Sequence, residues 1–246
     1  MKSFLFTISL FICTIVSANA QQSFMLSLVG TPANTKGWKI GPESYAFYHD
    51  NYIVLNDLDK NQGGYIFYEK PLVVLPGSQF TALFEIQITP NADTLADGLA
   101  FWFLTKAEKF KRNAGLGIPA KPTGLVLAFD TRDDNGDKKN PQVILWNPKG
   151  TEDYKEGAIK TPASNVLNNQ SGLADGNWHK VVVQYDMGTV KVYLDGNSNP
   201  VITAKSPLSF AGYFGFSSAT GTRFSKHCIR GVMIASGLLP VTMSVH

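Results

Sequence analysis

The sequence predicts an all-β protein, a two-sheet jelly-roll sandwich, on three observations. Apolar and polar residues alternate at the period of a strand in several segments, turn residues separate those segments, and helical periodicity is nearly absent. The chain of 246 residues, 44% hydrophobic and 17% charged, is long enough to bury one full core. Its 22 glycines and 13 prolines are an ordinary share, which excludes collagen-like and low-complexity readings. The 22 basic and 19 acidic residues are mixed along the chain, which argues against the basic stripe of a nucleic-acid partner.

At the N-terminus, Lys2, the apolar run 4–16 and Ala18-Asn19-Ala20 form the three parts of a secretory signal. Residues 1–20 are therefore read as a signal peptide cleaved after Ala20, and 21–246 as a single domain. That domain has no apolar run of about 18 residues, the length of a membrane span. Cys13 falls inside the signal, so Cys228 is the only cysteine of the mature chain. No internal disulfide is expected, and Cys228 is read as a small buried hydrophobe.

The first clear strand is 80–88, where every even position is apolar and the odd ones are mostly polar. Residues 99–104, 125–129, 143–146 and 213–216 are apolar on both faces, as strands in the middle of a layered structure are. Between the first two of these, 107–112 is read as a helical turn or two. Val181, Val183 and Tyr185 alternate with Lys180 and Gln184, and Val190, Val192 and Leu194 follow with Lys191 between them. Asp186-Met187-Gly188 and Asp195-Gly196-Asn197 supply the turns, completing a hairpin pattern. About a dozen short strands in one unbroken stretch make the two-sheet reading. The sequon Asn169-Gln170-Ser171 lies in a polar stretch and marks Asn169 as a glycosylation candidate on an exposed loop.

The densest polar cluster, Asp130-Thr131-Arg132-Asp133-Asp134-Asn135-Gly136-Asp137, begins where the strand at 125–129 ends. Its carboxylates and amide are the oxygen donors a calcium ion takes, and the plainer alternative is a solvated acidic turn. An EF-hand is excluded, because the twelfth position counted from Asp133 is Ile144 rather than glutamate. Two further features are Ala96-Asp97-Gly98 ahead of an aromatic strand, and a strand from Gly212 that runs into Ser217-Ser218-Ala219-Thr220-Gly221-Thr222. Each alone is a turn or a sheet edge.

In order and spacing, Asp97-Gly98-Leu99-Ala100-Phe101-Trp102, Phe129-Asp130-Thr131 and Phe214-Gly215-Phe216-Ser217-Ser218-Ala219-Thr220-Gly221 together resemble the leguminous-type lectin domain. The match is nearest to the animal intracellular cargo lectins of the early secretory pathway and spans the mature chain, including Gly63-Gly64-Tyr65 and the Trp178-His179 strand. It implies a concanavalin-like sandwich with a calcium-dependent sugar site, and a non-catalytic lectin for mannose or high-mannose N-glycans. Asp97 matches the aspartate that accepts hydrogen bonds from two sugar hydroxyls. Asp130 matches the first calcium ligand, and Arg132 the position whose carbonyl binds the ion. Asp134 stands where the family has an asparagine contacting calcium and sugar, with Asn135 the alternative. Asp133, Asn135 and Asn140 match positions of a second calcium, and Gly221 and Thr222 the loop whose N–H groups reach the sugar. Asp153, in Thr151-Glu152-Asp153-Tyr154, is the nearest match to an acid contributed by the next strand, without the family's histidine. Ala128 replaces the glutamate of a transition-metal site, so that site is expected to be missing. An aromatic or planar group against the sugar is expected from Tyr65, Arg132 or Phe224.

Two other classes fit the same architecture. A glycoside hydrolase needs paired carboxylates about 5 Å apart, and the Glu-x-Asp-x-x-Glu triplet of sandwich hydrolases is not found; Glu85 is the only acid in its strand. A laminin-G-like adhesion or structural module is suggested by Asp175-Gly176-Asn177-Trp178-His179-Lys180-Val181, with Trp178 expected in the core and His179 satisfied at a strand end. His49, His227 and His246 have no paired metal-ligand spacing, so zinc is not supported. The expected partners are glycans or glycoproteins, with pairing of subunits through sheet edges as a source of avidity. Residues 242–246 carry no retention signal, so export is the expectation and lumenal residence the alternative.

Overall fold

The computed structural model describes residues 23–46, 49–91, 95–133, 139–155 and 165–244, with no account of the Ser171 side chain. The predicted signal peptide, Asp134, Asn135, Gly136, Asp137 and His246 lie outside the described residues. Among the described residues sixteen strands form two antiparallel eight-stranded sheets. The first sheet runs, in spatial order, β14 (Ile202–Lys205), β13 (Thr189–Leu194), β12 (Trp178–Asp186), β7 (Gln79–Pro90), β16 (Ser225–Ser236), β4 (Tyr52–Asn56) and β3 (Tyr45–Ala46), with β1 (Met25–Leu28) also paired to β16. The second runs β11 (Val166–Leu167), β10 (Gln142–Trp146), β9 (Gly124–Asp130), β8 (Gly98–Leu104), β15 (Phe210–Ala219), β5 (Gly63–Tyr68) and β2 (Trp38–Ile40), with β6 (Leu72–Val74) also on β15.

The alternation read at 80–88 is borne out in β7, whose Phe80, Ala82, Phe84, Ile86 and Ile88 all face the inter-sheet core. Opposite them stand Phe101, Phe103, Phe214 and Phe216, with ring centroids 4.4 Å apart for Phe103 and Phe214 and 5.0 Å for Phe84 and Phe216. Burying each such side chain stabilises the fold by about 1.5–3 kcal/mol. The hairpin of β12 and β13 turns through Met187 and Gly188, both at positive φ, 46° and 88°. Two consecutive left-handed residues match the twist of the flanking strands.

The strands read as apolar on both faces are so because the second sheet is covered twice. Trp102, Val126, Ile144 and Phe67 point away from the other sheet into a second cluster. It is roofed by Leu116, Ile118, Tyr154 and Phe110 from the loops. Residues 107–112 are not helical. Lys109 adopts a left-handed φ of 57°, and Phe110 instead bridges to Pro119 and stacks on Tyr65 at 3.8 Å. Trp178 likewise departs from its expected place in the core. It is half-buried on the outer face of the first sheet, with the Arg230 guanidinium 4.2 Å from its ring centre and Tyr52 beside it. Cys228 is fully buried, as expected, and burial pushes its thiol up to about 12.

Candidate functional site

The site is built at the ends of β9, β8 and β15, three neighbours in the second sheet. Gly98 is opposite Asp130 on one side and Ala219 on the other, so the residues beyond these strand ends meet. Gly98 has φ +130°, and a Cβ there would lie 2.0 Å from the Phe129 carbonyl oxygen. Only glycine lets the two backbones come this close. Asp97 is then clamped by its own backbone: its N–H donates to Ala219 O at 3.1 Å, and Thr131 N–H donates to Asp97 O at 2.9 Å.

Asp97 is largely buried, and Arg132 Nη1 donates to its Oδ1 at 3.4 Å. Gly221 closes the third side: a side chain there would meet Arg132 Nη1 at 3.2 Å and Asp97 Oδ1 at 3.8 Å. The loop carrying Gly221 is fixed by Asn61 N–H to Gly221 O at 3.0 Å and by Thr220 Oγ1 donating to Asp59 O at 2.8 Å. Thr222 follows, exposed on the same loop.

Asp130 is buried, and both carboxylate oxygens are engaged. Oδ1 accepts from Arg132 N–H at 3.2 Å and from Asn140 Nδ2 at 3.1 Å. Oδ2 accepts from the Tyr154 hydroxyl at 2.5 Å. The Asn140 amide nitrogen also donates to Arg132 O at 2.6 Å and to Asp130 O at 3.3 Å. Three oxygens thus converge on one NH2 group, while Asn140 Oδ1 is buried with no hydrogen-bond partner among the described residues. A ring of oxygens around a donor, with an orphaned amide oxygen alongside, is a donor set that fits a hard cation. No group of three His, Cys, Asp or Glu placed to hold a metal is present among the described residues. The fit rests on carbonyl and amide oxygens around Asp130.

The structure brings together Asp97, Asp130, Arg132, Asn140 and Gly221, with Asp133 exposed on the same loop; Asp134 and Asn135 lie outside the described residues. It does not bring Asp153 to them. Lys111 Nζ at 2.7 Å and Lys121 N–H at 2.8 Å take its two oxygens, and the Lys111 hydrogen bond holds its carboxyl below the usual range. The next residue, Tyr154, makes the contact instead, and sequence reasoning missed it; its only signal was adjacency to Asp153. Of the three groups expected against a sugar, Arg132 reaches Asp97, whereas Tyr65 is packed beneath Phe110 and against Gly41. Asn169 is exposed with φ 59°. Glu85 pairs with Arg230 on the far sheet.

At the same end of the molecule His179 lies between two carboxylates, with Nδ1 3.0 Å from Asp195 Oδ2 and Nε2 3.0 Å from Asp175 Oδ1. Burial opposes a charge on the ring, but the two acids outweigh it and the pKa is raised. The His179 hydrogen bond, joined by those of Asn177, brings Asp175 down to about 2.

The structure is an all-β sandwich of two antiparallel sheets, with Asp97 and Asp130 brought together at one end of the second sheet. The legume-like lectin family model matches residues 17–236, and the chain belongs to that family. Solved structures agree in fold. The VIP36 exoplasmic/lumenal domain in a Ca2+/Man3GlcNAc-bound form superposes with a TM-score of 0.69 at 18% identity, covering 89% of this chain and 90% of that one. The Emp47p carbohydrate recognition domain gives 0.70 at 17%, covering 87% and 95%, and the metal-free Emp46p domain 0.68 at 17%, covering 87% and 97%. No curated protein matches the sequence at a significant level. No helix among the described residues is long and apolar enough to cross a membrane.

Proposed function

We propose that this family member is a calcium-dependent, non-catalytic lectin that binds mannose or high-mannose N-glycans. The observation that carries the reading is the Asn140 amide, which puts a donor at the point where Asp130 Oδ1, Asp130 O and Arg132 O converge. Turning that amide over exchanges its nitrogen for the orphaned Oδ1, so the same residues become acceptors for a cation. Asp130, the Arg132 carbonyl and Asn140 would hold calcium, with Asp134 or Asn135 from the same loop; Asp133, Asn135 and Asn140 also suit a second ion. Asp153 is not carried forward as a ligand. When bound, calcium supplies the positive charge that keeps the loop carboxylates together.

The chain's own groups then do the recognition. Asp97, held by backbone on both sides, accepts from sugar hydroxyls, and Arg132 either shares that carboxylate or turns to the sugar. The bare backbone at Gly221 leaves room for a ring, and the Gly221 and Thr222 N–H groups donate to it. The presence of Ca2+ and Man3GlcNAc in the VIP36 structure supports this choice of metal and sugar class. We further propose that residues 1–20 are a leader, that 21–246 are secreted or lumenal, and that Asn169 carries glycan.

The test is calorimetric titration of the mature chain with a high-mannose oligosaccharide in calcium and in chelator, with Asp97→Ala as control. Heat present in calcium and lost both in chelator and in the variant is expected. Binding that persists in chelator would falsify the mechanism.

A further inference from the structure

Away from the Asp97 group, a cavity of about 540 Å3 opens beneath the loops that follow β8 and precede β9. Lys106, Lys109 and Lys121 line it, with Thr105 and Thr123 between them. Lys109 and Lys121 both have left-handed backbones, φ 57° and 46°, and Lys109 O accepts from Ala120 N–H at 3.1 Å, which ties the two turns together. Left-handed lysines are costly, and two around one cavity point to a use for their placement.

The acids of the cavity are already engaged. Asp153 is taken by Lys111 and the Lys121 N–H, and Glu108 is 3.9 Å from Lys106. The Lys109 and Lys121 ammonium groups have no ion-pair partner among the described residues, and the exposed Lys149 is bridged to Thr123. With three lysines against Asp153 and Glu108 on its lining, and Asp153 also attracting the Lys121 charge, the cavity keeps a modest positive excess beside the Thr105 and Thr123 hydroxyls.

We propose that this cavity is a second binding site, for a phosphate group carried on a sugar. A phosphate presents several acceptor oxygens and a double charge, which suits a lining of several lysines and two hydroxyls better than a single carboxylate does. A hexose phosphate fits the volume. The choice of a sugar carrier rests on the lectin reading; the choice of phosphate rests on the cavity alone.

The experiment titrates the mature chain with mannose 6-phosphate, inorganic phosphate and mannose, in wild type, in Lys109→Gly/Lys121→Gly, and in Asp97→Ala. Glycine suits both left-handed positions, so the double variant keeps or gains thermal stability while losing two charges. Expected is mannose 6-phosphate binding that survives Asp97→Ala, weakens with added salt and falls about tenfold or more in the double variant. Binding of mannose 6-phosphate that is lost in Asp97→Ala and unchanged in the double variant overturns the proposal and leaves the lectin reading intact. Equal affinity for inorganic phosphate and mannose 6-phosphate overturns the sugar carrier. Absence of mannose binding in wild type, with the double-variant effect retained, supports the phosphate site and removes the lectin reading.

Discussion

Tyr154 donates its hydroxyl to Asp130 Oδ2 at 2.5 Å, within a buried pair, at the same carboxylate that Asn140 holds from its other oxygen. The distance is that of a charge-assisted hydrogen bond. Tyr154→Phe should therefore destabilise the protein by about 1.5–3 kcal/mol in chelator. Urea unfolding is the measurement, with a lower midpoint at unchanged slope. Calcium should narrow the difference by engaging the carboxylate directly.

Asn140→Asp replaces the donor at the centre of the oxygen ring by another acceptor. Without a cation the new carboxylate faces Asp130, and stability should fall by about 1–3 kcal/mol. With calcium the extra charge becomes a ligand, so the calcium-induced rise in melting temperature should exceed that of wild type. An unchanged rise would show that the ion does not sit beside Asn140.

Gly98→Ala puts a methyl group 2.0 Å from the Phe129 carbonyl at φ +130°. The strain should cost about 3 kcal/mol or more, and it should also separate Asp97 from Asp130. The readout is thermal unfolding together with sugar titration of whatever folded fraction remains.

Two histidines give opposite pH dependences. His227 is fully buried and burial pulls it down to about 3, with Nδ1–H on Asn56 Oδ1 at 2.7 Å. Its folded pKa is depressed, so its contribution is complete above the unfolded value of 6.5 and declines as pH falls toward 3. The limiting slope is about 1.4 kcal/mol per pH unit. His179 is raised instead, so its contribution is complete below 6.5 and is lost as pH rises through its folded value. Urea unfolding across pH should show His227→Gln flattening the acid limb and His179→Gln flattening the neutral-to-alkaline limb. Any other assignment of the limbs would contradict the geometry of the two rings.

Much of this was legible along the chain because it is local. The alternation in β7, the turn at Met187-Gly188 and the doubly apolar β8 and β9 are written within a few residues, and Asp97, Asp130 and Gly221 stand in an ordered trio of motifs. What was illegible depends on distant partners. Trp178 reads as core until Arg230, fifty-two positions on, is seen over its ring. Asp153 reads as a ligand because acids attract that reading, yet Lys111 and Lys121 turn it away and Tyr154 points inward instead. The segment 107–112 has helical composition, and the pairing of Phe110 with Pro119 and Tyr65 overrides it.

The place of β16 in the first sheet has a consequence for biogenesis. Residues 225–236 pair with β7, β4 and β1, so the strands made first wait on one made near the end. While the chain is being synthesised, β7 offers an unpaired apolar edge until almost the whole domain is available. Completion of this sheet is then a late step built on contacts distant in sequence, and until it occurs the edge is open to pairing with other chains. A nascent chain held with residues up to 224 outside the ribosome should be protease-sensitive, and emergence of β16, about a dozen residues more, should convert it to a resistant one.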